Sequence, residues 1–421
     1  MLFWTLNHIM TTNLYPQLRP LDIRRHIQDG HPYILLRDPL QLNGGPILVP
    51  QPLAAALAYC DGTLDASGIA AAFTRQHNIP LKVSVVEDLI AALDKALLLE
   101  NERAAQAKEK ALQSYRDAPF RTPMLAGHGY PDDPDDLHEM LQAYLDGAAP
   151  PAQPAKSWPA LAGIVSPHID YRRGGEVYAR VWKEAAEAIK AADLVIMFGT
   201  DHYGDDPFTL TRQDYATPYG ALPTARPIVD GLAKIVGEEA AFAGELRHRD
   251  EHSLELVALW LHHMRDGKPV DVVPILTGSL RRFSAIGSTP DDDPTLGRII
   301  DLLARECRER RVLVVASGDL AHVGPEFGGA PLDTTGRKIL RSDDQTLIEA
   351  MREGDAGSFY MAIERMQNRN NVCGVSPFYL TMRMLSDGRE EPLTGSLTSY
   401  ASCPADADNT SAVTICGMTY T

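Results

Sequence analysis

The sequence predicts an α/β protein: a mixed, largely parallel central sheet with helices on both faces, preceded by a small α+β domain. Three observations predict it. Beyond about residue 160, short apolar runs alternate with amphipathic helical stripes. The runs "AGIVS", "LVIMFG", "VDVVPILTG" and "RVLVVAS" are apolar at consecutive positions, the mark of strands covered on both faces. Residues 1–117 read differently, as a short hairpin followed by Ala-rich helices. At 421 residues the chain exceeds one ordinary core, so a division into 1–117 and 118–421 is expected.

In the first region, "PYILLRDP" and "GPILVP" flank "LQLNGG", which predicts a hairpin closed by an Asn-Gly-Gly turn. "QPLAAALAYC" and, after the turn "DGT", "LDASGIAAAFTRQHN" have helical spacing. "VVEDLIAALDKALLLENERAAQAKEKALQ" reads as one long helix, core-facing up to Leu99 and a solvated charged connector beyond it. The start, "MLFWTLNHIM", has no basic n-region and reads as a leader or docking strand rather than a secretory signal.

The second region opens near "RTPMLAGHGYPDDPDDLHEMLQAYL", and "DGAAPPAQPAKSWPA" (146–160) reads as a surface loop. After it Tyr178, Trp182, Ala185 and Ile189 form one apolar stripe on a helix. The helices "PIVDGLAKIVG", "SLELVALWLHHM" and "LGRIIDLLARECRE" separate the later strands. Helical crossovers of this kind join parallel neighbours.

Bulk properties exclude several functions. A net charge of −16 argues against a nucleic-acid surface, which needs a basic footprint. No apolar run approaches the ~20 residues of a membrane span. The five cysteines (Cys60, Cys307, Cys373, Cys403, Cys416) are scattered and odd in number, which suits free thiols in a reducing cytoplasm.

The chemistry gathers where strands end. "LAGIVSPHID" stops at His168, "LVIMFGTDHYG" at Asp201 and His202, and "VLVVASGDLAHVG" at Asp319 and His322. In open α/β sheets, ligands lie beyond the carboxyl ends of the strands, so these groups can converge from distant parts of the chain. Imidazoles converging without a nearby nucleophile most often bind a metal. A nucleophile elbow, a phosphate-binding glycine loop, a dinucleotide fingerprint and a C-x-x-C are all missing from the sequence. "HEMLQ" fails as a zinc-protease helix because Gln142 stands where the second histidine is required.

"AGHGYP", "SPHIDYRRGG", "GTDHYG", "DEHSLE", "VVASGDLAHVG" and "NVCGVSPF", in this order over about 119–421, resemble the signature segments of the Memo family. The resemblance implies the fold of class III extradiol dioxygenases and a metal, iron(II) or copper, held by two histidines and a cysteine. Matched segment by segment, these are His168, His202 and Cys373. Asp319 and His322 fall where the resemblance implies acid/base or ligand-supporting groups, and His252 and Glu255, three apart at a helix start, are expected to line the cleft. Two imidazoles and a thiolate also suit zinc, and a thiolate in place of the dioxygenases' carboxylate is softer and more easily oxidised. Departures are Tyr203 where many members have a second histidine, "ALW" after the fourth segment, and Asp170 added in the second. Residues 1–117 resemble PqqD-like winged-helix domains, and the whole chain resembles the fused variant called AmmeMemoRadiSam system protein B. That likeness implies radical-SAM and AMMECR-type partner proteins and a small-molecule or peptide substrate.

Each reading has a plainer counterpart. His168 and His202 can be hydrogen-bonded structural histidines, Cys373 an inert buried thiol, and Asp319 a cap on the segment that follows. His262 and His263, late in a helix, fit its dipole, and Cys307 lies on the apolar stripe of Leu296, Ile300 and Leu303. Three function classes stay open: a metal-dependent redox enzyme, an adapter that binds a peptide or partner, and a zinc hydrolase.

Overall fold

The computed structural model describes residues 14–150, 162–285 and 287–421. The leader reading of residues 1–10 and the loop reading of 151–160 lie outside the described residues. The chain forms two compact units, Met1–Asp117 and Ala118–Thr421.

In the first unit, strands β1 (Asp22–Gln28), β2 (His31–Arg37) and β3 (Ile47–Pro50) form an antiparallel sheet in that order. The turn between β1 and β2 is Asp29–Gly30, both at positive φ as a type I′ hairpin requires. β1 has no buried residue, so it shows no apolar alternation and the sequence does not announce it. The expected hairpin is β2–β3, with Gly44 at φ 76° and Asn43 accepting Gly45 N–H at 3.3 Å in its Asn-Gly-Gly turn, and the connection is organised further by Asp38. Its carboxylate accepts the N–H groups of Leu40 and Leu42 at 3.0 and 2.9 Å and pairs with buried Arg19.

The expected long helix is two helices, Val83–Lys95 and Glu102–Asp117. Leu97 takes a left-handed φ of 59°, and Leu98 and Leu99 turn into the core at 0% exposure. The carbonyl of Leu98 accepts from Arg19 N–H and the N–H of Glu100 donates to Gln17, so an extended segment replaces a helical turn. Asn101 then caps the second helix by accepting Ala104 N–H at 2.9 Å.

The second unit is built on β4 (Gly163–Ser166), β5 (Leu194–Thr200), β6 (Thr209–Leu210), β7 (Tyr215–Thr217), β8 (Gly220–Leu222), β9 (Asp271–Thr277), β10 (Val312–Ser317), β11 (His322–Val323), β12 (Gly395–Pro404) and β13 (Ala412–Tyr420). Among the described residues eight of these make one sheet, ordered β11-β13-β4-β10-β5-β9-β6, with β12 also on β13. β4, β10, β5 and β9 are mutually parallel, and β6, β13, β12 and β11 add antiparallel edges. The mixed, largely parallel sheet is as expected.

The strands are apolar throughout because both faces are covered. Leu194, Ile196 and Phe198 of β5 pack with the helices Arg226–Val236, Pro294–Glu309 and Val375–Ser386. Val195 and Met197 face the helices Pro134–Gly147, Tyr171–Glu184 and Ser253–Met264. Every residue of Ser253–Met264 is buried, which holds its N-terminus rigidly beside the strand ends. No helix among the described residues is long and apolar enough to cross a membrane.

Candidate metal centre

Ser166 of β4 pairs with Ser317 of β10, and Ser317 with Gly199 of β5, so three parallel strands end level. His168, Asp319 and the Asp201–His202 pair leave the sheet from that common height. Cys373 reaches the same place from the turn before the helix Val375–Ser386. Two glycines permit the approach: a Cβ on Gly318 would lie 2.5 Å from the Cα of Gly374. In that contact Gly374 N–H donates to the Asp319 carbonyl at 3.0 Å, and Asp319 N–H donates to Cys373 Sγ at 3.3 Å.

Cys373 Sγ lies 3.1 Å from His168 Nε2. One donor atom from each of His168, His202 and Cys373 lies within 4.8 Å of the other two. The rings of His168, His202 and His252 form a triangle, with centroids 4.9, 5.2 and 4.7 Å apart.

Each imidazole commits its Nδ1 to the protein. His202 Nδ1 lies 3.0 Å and His252 Nδ1 3.1 Å from the same oxygen, Glu251 Oε1. His322 Nδ1 is 3.1 Å from the Asn371 carbonyl. His168 Nδ1 is 3.5 Å from Ser317 Oγ, whose own hydrogen is donated to the Ser253 carbonyl at 2.6 Å. A carboxylate, a carbonyl and a hydroxyl whose proton is already engaged can only accept. All four Nδ1 atoms are therefore the protonated ones in the neutral rings, leaving Nε2 with the lone pair.

The electrostatics follow from burial. Burial, reinforced by His202 and His252, pushes the His168 pKa well below the usual imidazole value. Burial also raises the Cys373 thiol, although His202 pulls it back. Burial alone would lower His202, but Glu251 overrides it and holds its pKa well above the usual value. The same charge favours a second proton on His202 Nε2. Glu251 is fully buried; burial would raise it, yet His202 and His252 hold it well below the carboxylate range.

Asp319 does not cap the segment after it. Its Oδ1 accepts the backbone N–H of His168 at 2.9 Å, tying two strand ends together. Its Oδ2 lies 3.9 Å from the Nε2 of both His168 and His322. Burial raises this carboxyl in spite of His322 and the His168 N–H.

Other expected neighbours go elsewhere. Glu255 is committed to Arg121, the Tyr130 hydroxyl and the N–H groups of Met124 and Leu125, and Glu251 is the carboxylate beside His252 instead. His252 is the N-cap of its helix, so the residue before it turns toward the strand ends. The signal that could have found Glu251 is an acid directly before a histidine at a helix start. Asp170 caps Tyr171–Glu184 and pairs with Arg173. Asp201 pairs with Arg247 at 2.7 Å. His262 and His263 hydrogen-bond Thr217 and Tyr219.

A model of Memo-like proteins matches residues 121–419, nearly the whole second unit. The chain belongs to the Memo family. The MEMO1 family protein of Aquifex aeolicus (strain VF5) is 24% identical over 408 residues, covering 96% of this chain and 99% of that protein. That of Archaeoglobus fulgidus is 26% identical over 304 residues, 72% of this chain and 99% of its own length. A Methanosarcina barkeri MEMO1 family protein is 27% identical over 262 residues, 61% of this chain and 84% of its own.

The donor set of this Memo protein fits a metal. A tetrahedral ion bound at ~2.0–2.1 Å to nitrogen and ~2.3 Å to sulfur separates its donors by about 3.3–3.7 Å. The donor atoms of His168, His202 and Cys373, all within 4.8 Å of one another and 3.1 Å apart for the Cys373–His168 pair, reach that with small side-chain shifts. Gly318→Ala tests how far the site depends on the glycine contact. The new Cβ meets backbone, so a loss of about 1–3 kcal/mol is expected, together with weaker metal uptake as Cys373 is displaced. Both are read from denaturation and metal titration.

Proposed function

We propose that this protein is a metal-dependent redox enzyme of the non-haem type, with iron(II) or copper on His168, His202 and Cys373. The supporting observation is the common orientation of four imidazoles, each with Nδ1 anchored and Nε2 left for the site, around one thiol. A bound iron or copper supplies one-electron chemistry and, with three protein ligands, leaves positions open for a small-molecule or peptide substrate. His322, its ring fixed by the Asn371 carbonyl, presents Nε2 to give or take a proton from that substrate. Asp319 steadies it by charge at 3.9 Å. His252, a third exposed and backed by Glu251, offers a second Nε2 at the mouth of the cleft.

Protein purified anaerobically should carry iron or copper and consume oxygen with substrate. Equal metal content in wild type and a Cys373→Ser, His202→Ala double variant would sink the reading. Zinc as purified with no oxygen uptake would replace it with a hydrolase.

An adapter reading draws on a separate observation in the first unit. Among the described residues β1 pairs only with β2, and Ile23 and Ile27 are 54% and 75% exposed along it. Such an edge accepts an extended peptide strand. Ile23→Ser, Ile27→Ser should abolish capture of a radical-SAM or AMMECR-type partner and leave metal content alone; unchanged capture in a pull-down counts against it.

A further inference from the structure

Glu251 makes more contacts at this centre than any one ligand role would need. Its Oε1 faces three donors: His202 Nδ1 at 3.0 Å, His252 Nδ1 at 3.1 Å and Ser253 N–H at 3.0 Å. Its Oε2 accepts the backbone N–H of His202 at 3.0 Å. Two chain segments thus fix the carboxylate by their amides, and the carboxylate fixes two imidazoles. His202 is gripped at both backbone and ring. The two rings stack at 4.7 Å and 21°, so their Nε2 atoms are presented as a pair.

We infer that Glu251 is a positioning residue that locks His202 and His252 as Nδ1–H tautomers, directing both Nε2 lone pairs into the metal site. The inference rests on the metal-binding reading above and adds to it. A glutamine in this position has one acceptor oxygen and an NH₂ group that must donate. With its oxygen in the Oε1 place, glutamine keeps both rings but turns its NH₂ on the His202 amide, which also donates; with the NH₂ in the Oε1 place it faces both Nδ1–H groups and Ser253 N–H. Relief requires the His202 segment to shift in the first case, or the rings to flip or move their protons to Nε2 in the second, and either change misplaces a lone pair at the site. A carboxylate is thus required where simple packing would accept the isosteric amide. Its buried negative charge, set behind the two imidazoles, also complements a cation on the far side of the rings.

The test uses the full-length protein and Co(II) as the probe. Glu251→Gln is expected to weaken Co(II) binding by about 10–100-fold and to shift the thiolate-to-cobalt absorption, with the far-UV circular dichroism unchanged. A Gln variant with the wild-type Kd and spectrum overturns the inference. If that variant does not fold, nitrogen NMR of histidine-labelled, Zn(II)-loaded wild type decides, assigned with His202→Gln and His252→Gln. Protonated Nδ1 at both residues supports the inference, and a protonated Nε2 at either overturns it. The two failures separate: wild type that takes up no Co(II) sinks the metal-binding reading itself, whereas normal uptake with an indifferent Gln variant sinks only the role of Glu251.

Discussion

Cys373→Ser is expected to weaken metal binding by at least about 100-fold, beyond the 10–100-fold typical when only a supporting hydrogen bond is lost. The serine oxygen is a hard, neutral donor that does not ionise near neutral pH, so the soft member of the set disappears while His168 and His202 stay in place. In wild type the metal must displace the thiol proton, which burial holds firmly, and the proton on His202 Nε2. Wild-type affinity should therefore rise with pH, steeply while both protons are being released. The serine variant has only the imidazole proton to lose, so its slope against pH is shallower by about one proton. A metal-dependent gain in thermal midpoint, present in wild type and absent in the variant, gives a second readout. Equal affinities and equal slopes would remove the thiol from the centre.

The strand-end segments are legible because two independent patterns coincide there. A run such as "VLVVAS" has no polar face, so it must be covered on both sides, and the first polar residues after it have nowhere to go but the sheet edge. His168, His202, Asp319 and His322 follow from that alone. Cys373 does not, because its turn follows no strand; only its place in the ordered segments marks it. What brings it to Asp319 is the bare contact of Gly318 with Gly374, a tertiary fact that no periodicity encodes.

The carboxylates are harder to read. Spacing of three on a helix suggests that His252 and Glu255 share a face, but His252 is only the cap and the chain enters it from an extended Glu251, with φ −88° and ψ 127°. Glu251 consequently turns to the imidazoles and Glu255 to the segment that opens this unit. The same limit hides the break at Leu97. Good helix formers continue across "KALLLEN", and only the pull of Leu98 and Leu99 into the core interrupts them. β12 and β13 escape for another reason. Their Ser- and Thr-rich alternation is weak, and their pairing with each other and with β4 supplies what local preference does not.

Arg121→Met is expected to destabilise the second unit by about 3–5 kcal/mol, the cost of leaving a buried charge without its partner. Arg121 is fully buried and pairs with Glu255, itself 1% exposed. The guanidinium also donates to the carbonyls of His248 and Glu251, each at 2.9 Å, so it braces the chain just before the His252 helix. Burial alone would raise the Glu255 carboxyl, but Arg121, the Tyr130 hydroxyl and two backbone N–H groups hold it below its ordinary value of 4.5. A folded pKa below the unfolded one contributes stability that is present above the unfolded value and lost as pH falls through the folded one. Without Arg121 burial dominates and the shift weakens or reverses. The deficit of the variant is therefore largest near neutral pH and narrows as acid protonates Glu255. Adding Glu255→Gln should recover part of the loss, because its oxygen still accepts from Tyr130 and Leu125 and the unpaired charge is gone, although Met124 N–H on the other oxygen loses its acceptor. Urea denaturation of wild type, Arg121→Met, Glu255→Gln and the double variant at pH 7 and pH 5 measures all of this. A loss below about 1 kcal/mol for Arg121→Met, the level of an exposed pair, would show that this ion pair does not hold the segment in place.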